Sequence, residues 1–366
     1  MTLGEGPRKT KAPERRREGR PGGVTIRDIA REAGVSTATV SRAFNAPETV
    51  KPATREAVMA VARQRHYVPQ ASATTLASQR SRLLGVIIPT ISNSIYAQST
   101  QAVQQAAQEA GYTVIVGVSD FSPEREERLI HRFIEHRVEG LVLTGEARAE
   151  GVYDKIEWND LPFVVTWKYV TKPARPSVSF DNFKAAASAV EHLLTLGHRR
   201  IGFVCGRSDV NDRALGRRRA FEETMRANQV PADPDLIFER DFEYVEGTAV
   251  MRRMLEHRDP PTAVFCANDI QAIGAMAYCH QVGLSVPRDM SIVGFDDLPI
   301  TQYTTPQLTT VHVPAAEMGR RAAQQLLGAI RHHETQMSFE LPTHLIVRGS
   351  TMPPTERARR PDSAVV

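Results

Sequence analysis

The sequence predicts a small helix-turn-helix headpiece followed by an α/β core of two similar lobes, and three observations carry that expectation. Residues 24–45, VTIRDIAREAGVSTATVSRAFN, hold two short helical patterns broken once by a glycine. From Leu83 onward, apolar runs such as LLGVIIP, TVIVGV and LVLTG alternate with helical patterns, as in parallel sheets with crossover helices. A helix-Gly-strand junction recurs as EAGYTVIVG, TLGHRRIGFVCG and QVGLSVPRDMSIVGF, and the series restarts around VSFDNFKAAASAV, hence two lobes.

The 366 residues, 41% hydrophobic and 24% charged, suffice for more than one buried core. Three cysteines, Cys205, Cys266 and Cys279, lie scattered in apolar segments, which fits neither a disulfide framework nor metal-ligand spacing and favours a reducing cytoplasm. No apolar run is long enough to span a bilayer and no apolar export segment follows the basic start, so a cytoplasmic protein is expected. Net charge is +4, but residues 1–80 hold 15 Lys/Arg against 7 Asp/Glu, a net +8 that leaves −4 for the rest. The excess favours a polyanion at the N-terminal end, although a solvated basic tail over residues 1–23 explains part of it.

In the headpiece Ile26, Ile29, Ala30 and Ala33 form one buried stripe, and Thr25 with Asp28 has capping-box spacing. Gly34 ends the helix and Ser36 caps the next. There Val40, Ala43 and Phe44 face the first helix and Thr37, Ala38, Ser41 and Arg42 point away. Pro52 opens a third helix whose expected stripe is Ala57, Val58, Val61 and Ala62. Such a pair of helices can be a simple hairpin, or it can place its second helix in a DNA major groove.

The run VTIRDIAREAGVSTATVSRAFN, followed by VKPATREAVMAVARQRHYVPQ, resembles the DNA-binding headpiece of the LacI/GalR family of bacterial transcription regulators nearly position for position. The resemblance implies that Thr37, Ala38 and Arg42 reach base edges, and that Thr25, Ser36, Ser41 and Asn45 hold phosphates or caps. Ala38 can offer only apolar contact, for instance to a thymine methyl. The segment after the headpiece, within residues 70–82, is a linker or a hinge helix. The resemblance implies a hinge that folds on the operator and wedges Leu76 into the minor groove. The organisation expected is headpiece 24–69, hinge 70–82, two-lobed ligand-binding and dimerisation domain 83–352 and polar tail 353–366.

Residues 83–351 resemble the sugar- and purine-sensing core of the same family, related in fold to periplasmic binding proteins, most strongly at AVFCANDIQAIGAMA, VPRDMSIVGFDD and PQLTTVHVP. That implies lobes of 83–180 plus 312–342 and 181–311 plus 343–352, with the effector outside the carboxyl ends of the strands. Asp296, the first acid of FDD, is then a solvated cleft acid whose loss removes the ligand response without unfolding the protein. Asn268 is preferred to Asp269, for which helix capping is the rival. Arg217 matches the pocket arginine of R-x-x-G-F, with Ala220 in place of glycine, and suits a carboxylate; a solvated helix face is its alternative. Phe242 aligns with a ring-stacking aromatic, with core packing as alternative. Ser92, Asn93, Tyr96 and Asp181 are further candidates, and Trp167 and Lys168 weaker ones. His131 and His136 do not share a helix face, and neither metal nor cofactor is expected.

No G-x-G-x-x-G, P-loop, G-x-S-x-G or H-E-x-x-H motif supports an enzyme. A solute-binding protein without a DNA role is a further rival, against which the basic headpiece argues. The expected function is a ligand-responsive repressor that binds palindromic operator DNA as a homodimer, the tail having no leucine heptad for a tetramer. A sugar, sugar acid or purine is the expected effector, and VSFDNF, SNSIYA and LVLTG resemble the gluconate-utilisation branch.

Overall fold

Thr25 opens helix α1 (Ile26–Glu32) with a capping box: its hydroxyl accepts from the Asp28 amide, and the Asp28 carboxylate accepts from the Thr25 amide at 3.0 Å. Gly34, at φ +66°, makes the turn, and the Ser36 hydroxyl accepts from the Thr39 amide at 3.1 Å to start α2 (Thr37–Asn45). Helix α3 (Pro52–Gln64) begins on its proline. Ile29, Ala30, Val40, Ala43 and Val58 close a core between the three helices, with Val61, Phe44 and Tyr67 at its margin. Ala57 is exposed, contrary to the stripe expected from the sequence; the inward face of α3 passes through Val58, Val61 and Ala62, and Ala57 lies one residue around the helix towards solvent.

The computed structural model describes residues 24–68, 80–170 and 175–355, and the headpiece and the remainder, from Arg82, form separate units. The hinge expectation, including Leu76, the basic tail 1–23 and most of the C-terminal tail lie outside the described residues.

The second unit contains two six-stranded sheets. In the first lobe β1 (Leu83–Ile88), β2 (Thr113–Val118), β3 (Gly140–Thr144), β4 (Phe163–Thr166), β5 (Ser177–Ser179) and β11 (Phe339–Glu340) run parallel in the order β11-β5-β4-β3-β1-β2. The second holds β6 (Ile201–Cys205), β7 (Ile237–Glu239), β8 (Ala263–Cys266), β9 (Ser291–Asp296), β10 (Thr309–His312) and β12 (His344–Ile346), ordered β12-β10-β9-β8-β6-β7, with only β12 antiparallel. Helices α4 (Ser94–Glu109), α5 (Pro123–Glu135), α6 (Glu150–Trp158) and α11 (Ala315–His332) belong to the first lobe; α7 (Asn182–Thr195), α8 (Asp212–Ala227), α9 (Tyr244–Leu255) and α10 (Asp269–Gln281) belong to the second.

The chain therefore crosses between lobes after β5, after β10 and between β11 and β12. The repeated helix-Gly-strand junction has one physical cause: Gly111, Gly197 and Gly283 all sit at positive φ, +77°, +97° and +77°, where a helix end turns toward the next strand. Because the strands run parallel, the loops leaving their carboxyl ends gather on one edge of each sheet, where polar side chains can escape the apolar core.

Candidate functional site

The headpiece exposes Thr37, Ala38 and Arg42 on the outer face of α2, while Val40 and Ala43 hold that helix against the core. Arg42 folds back in a 3.3 Å Nε hydrogen bond to the Ala38 carbonyl. Thr25 and Ser36 are caps, and Asn45 donates to the Ser41 hydroxyl at 3.3 Å.

The second constellation lies where the two lobes meet, and the ends of six strands contribute to it. Asn93 and Tyr96 follow β1, Trp167 follows β4, Asn211, Arg213 and Arg217 follow β6, Phe242 follows β7, Asn268 follows β8 and Asp296 ends β9. The free space among them, about 10 Å³, is that of a single water site. Asp296 is only 3% exposed, so the expectation of a solvated acid is corrected: its carboxylate accepts from Asn268 Nδ2 at 2.6 Å and lies 3.8 Å from an Arg217 guanidinium nitrogen. Its backbone φ of +117° is a conformation that L residues rarely adopt, held by the neighbouring Asp297 bonds to Arg348 at 2.6 Å and His312 at 2.9 Å.

Burial pushes the Asp296 carboxyl up to about 7, against the pull of Arg217 and then of the Asn268 and Asn93 amides. The folded value exceeds the ordinary 3.8, so the folded state holds a proton that the unfolded chain has released. This group thus favours folding fully below about pH 4, and the contribution is lost as pH rises through about 7. Asp296→Asn should flatten that part of the stability profile, seen as a smaller fall in melting temperature between pH 5 and pH 8. An unchanged profile would mean the carboxyl does not titrate in this window.

Arg217 is 6% exposed and not on a solvated face. It donates from Nε to Asn182 Oδ1 at 3.0 Å and from a terminal nitrogen to the Ala267 carbonyl at 2.7 Å, and its guanidinium lies 3.8 Å from the Phe295 ring centroid. Burial lowers its pKa, partly offset by Asp296. Tyr96 packs edge-on against Trp167 at 4.8 Å, and Phe242 meets Phe121 of the first lobe at 5.8 Å.

Three sequence assignments change. Asp181 is the cap of α7, accepting from Phe183 and Lys184 amides, and its neighbour Asn182 instead turns inward, bridging the Trp167 carbonyl and Arg217. Ser92 is exposed and only its amide is engaged, by Thr90. Asn268, not Asp269, caps α10; Asp269 is fully buried, its carboxyl pushed well up by burial, and accepts from Thr310 at 2.6 Å and the Leu298 amide at 2.8 Å. Lys168 is half-buried beside Trp167 and does not line the central space, while Arg213, Asn211, Asn182 and Phe121 were missed. His131 and His136 are exposed, and among the described residues no group of His, Cys, Asp and Glu could hold a metal.

Residues 25–70 match "Bacterial regulatory proteins, lacI family" and residues 190–351 match a "Periplasmic binding protein-like domain". The chain is 34% identical over 329 residues to the transcriptional repressor CytR of Escherichia coli strain K12, covering 90% of this chain and 96% of that protein. The chain belongs to the lacI family. It is 33% identical over 330 residues to catabolite control protein A of Priestia megaterium, covering 90% and 99% of the two chains. Among solved structures, a lacI-family regulator from Silicibacter pomeroyi gives a TM-score of 0.83 at 26% identity, over 90% of this chain and 99% of that one. The lac repressor dimer bound to operator and the anti-inducer ONPF gives 0.78 at 28%, over 90% and 100%. Membership makes this protein a DNA-binding transcriptional regulator, of repressor type, whose headpiece is coupled to a ligand-binding core. Among the described residues no helix is long and apolar enough to cross a membrane.

Proposed function

We propose that the protein acts in the cytoplasm as a homodimer that represses transcription from a palindromic operator, and that a small metabolite relieves or strengthens that grip by entering between the lobes. A sugar, a sugar acid or a purine suits the interlobe chemistry: aromatic rings beside a hydrogen-bonding acid and amides. The observation that carries this reading is the buried Asp296–Arg217–Asn268 network at the facing carboxyl edges of the two sheets. Water-excluded polar groups of this kind are costly to retain unless they recognise something. On the DNA side Thr37, Ala38 and Arg42 are proposed to read bases, and Leu76 to enter the minor groove, so that Leu76→Ala weakens specific binding and DNA bending in a gel-shift assay while nonspecific binding stays.

Only two tryptophans exist, Trp158, which is 89% exposed, and Trp167, which is 2% exposed beside Tyr96. Trp158→Phe therefore leaves one reporter in the cleft. Titrating that variant with sugars, sugar acids and purines should give a saturable Trp167 emission change for one class, lost in Asp296→Asn, with a matching change in operator affinity. A metabolite that alters operator binding without moving Trp167 emission, and with Asp296→Asn unaffected, overturns the assignment of this cleft.

A further inference from the structure

Arg217 is the arginine that sequence singles out for an anion, yet its donors are committed to Asn182, Ala267 and the Asp296 carboxylate. A different arginine is placed to read one. Arg213, one turn earlier on α8, is 6% exposed, and its Nε is buried with no hydrogen-bond partner. Leaving a guanidinium donor dehydrated and unpaired costs free energy that an incoming acceptor would recover.

The surroundings specify the acceptor. Arg213 lines the Asp296 space on one side and a second small chamber on the other, walled by Ser119, Phe121, Ser122, Thr144 and Val210. The N-terminus of the 13-residue helix α5 opens beside it at Ser122 and Pro123, adding its positive end to the same volume. The charged groups nearby are largely matched within the protein. Asp212 takes one terminal nitrogen of Arg213 at 2.8 Å and, through its other oxygen, the Glu146 amide at 2.7 Å; Glu126, which itself lines the chamber, is paired with Arg148 at 2.7 Å. The Tyr96 phenol lines the same pocket, where Arg213 and Arg217 act electrostatically on it, and Arg217 faces Arg213 from one turn along the helix.

We propose that Arg213 reads an anionic group of the effector, a carboxylate or a phosphate, in the chamber beside the Asp296 pocket. The effector is then a metabolite with hydroxyls or ring nitrogens at one end and an acid at the other. This rests on reading the interlobe cleft as the effector site. Gly145 of the first lobe meets the same guanidinium, so close that a Cβ there would collide with it, and an anion held by Arg213 would therefore bear on lobe closure.

The test uses the full-length Trp158→Phe protein, with acetate and inorganic phosphate as probes at constant ionic strength. A saturable change in Trp167 emission is expected with at least one of them. Arg213→Gln should weaken it about tenfold or more, and Arg213→Lys, which keeps the charge and loses the fork, by less. Arg226→Gln, an exposed arginine on the same helix, should leave it unchanged. No saturable response in the parent, or one undiminished by Arg213→Gln, overturns the proposal. The underlying reading fails separately: if a neutral sugar or purine responds through Asp296 while Arg213→Gln is silent, the cleft stands and the anion subsite falls. If no effector responds through Asp296, the cleft itself falls.

Discussion

Arg217→Met should destabilise the core by about 3–5 kcal/mol at pH 8 and by about 1 kcal/mol less at pH 5. The methionine fills most of the volume over Phe295, so the loss is electrostatic and polar more than steric. At pH 8 the variant removes the cation that draws the Asp296 carboxyl down, so this group, only 3% exposed, must either stay ionised with amides as its remaining partners or take up a proton, and both cost stability. The Asn182 side chain and the Ala267 carbonyl each lose a donor as well. At pH 5 Asp296 already carries a proton, since its pKa is near 7, so the charge penalty disappears and only the lost hydrogen bonds remain. Urea unfolding at the two pH values measures the difference. Adding Asp296→Asn to Arg217→Met should recover the pH-dependent part at pH 8, and a loss equal at both pH values would show that the two groups are not coupled.

The headpiece was the most legible part of the sequence, because its helices obey local rules: a capping box at Thr25, a left-handed glycine at Gly34 and a serine cap at Ser36 each act within four residues. Ala57 escaped because its helix has apolar residues on more than one face, and periodicity alone does not say which the other two helices cover. The cleft was legible as a set of loops and less so residue by residue. In DN, FDD and ND pairs two adjacent polar residues follow a strand, and capping takes one of them. Asp181 caps while Asn182 turns inward; Asn268 caps and still reaches Asp296. Asp296 and Asp297 divide the opposite way, the first into the cleft and the second to Arg348 and His312. Such choices depend on partners 15 to 51 residues distant, which no local pattern carries. Arg213 lacked even a motif, and only its unpaired buried Nε distinguishes it from the other arginines of α8.

Arg42→Ala should cost about 1–3 kcal/mol of operator binding and relax base preference at one position of each half-site. Arg42 projects from the exposed face of α2 opposite Val40 and Ala43, so truncation leaves the headpiece core untouched. Its hydrogen bond from Nε to the Ala38 carbonyl, 3.3 Å, is long and weak, and exchanging it for a bidentate contact to a guanine edge costs little. A phosphate contact would behave differently. Losing one weakens all DNA by a similar factor and lowers the salt dependence of binding by about one counterion, whereas losing a base contact leaves the salt slope nearly intact and narrows the gap between operator and competitor. Competition titrations of wild type and Arg42→Ala against operator and random duplex, at several salt concentrations, separate the two. An unchanged operator preference with a shallower salt slope would move Arg42 from the bases to the backbone and leave Thr37 as the remaining polar reader on the exposed start of the helix.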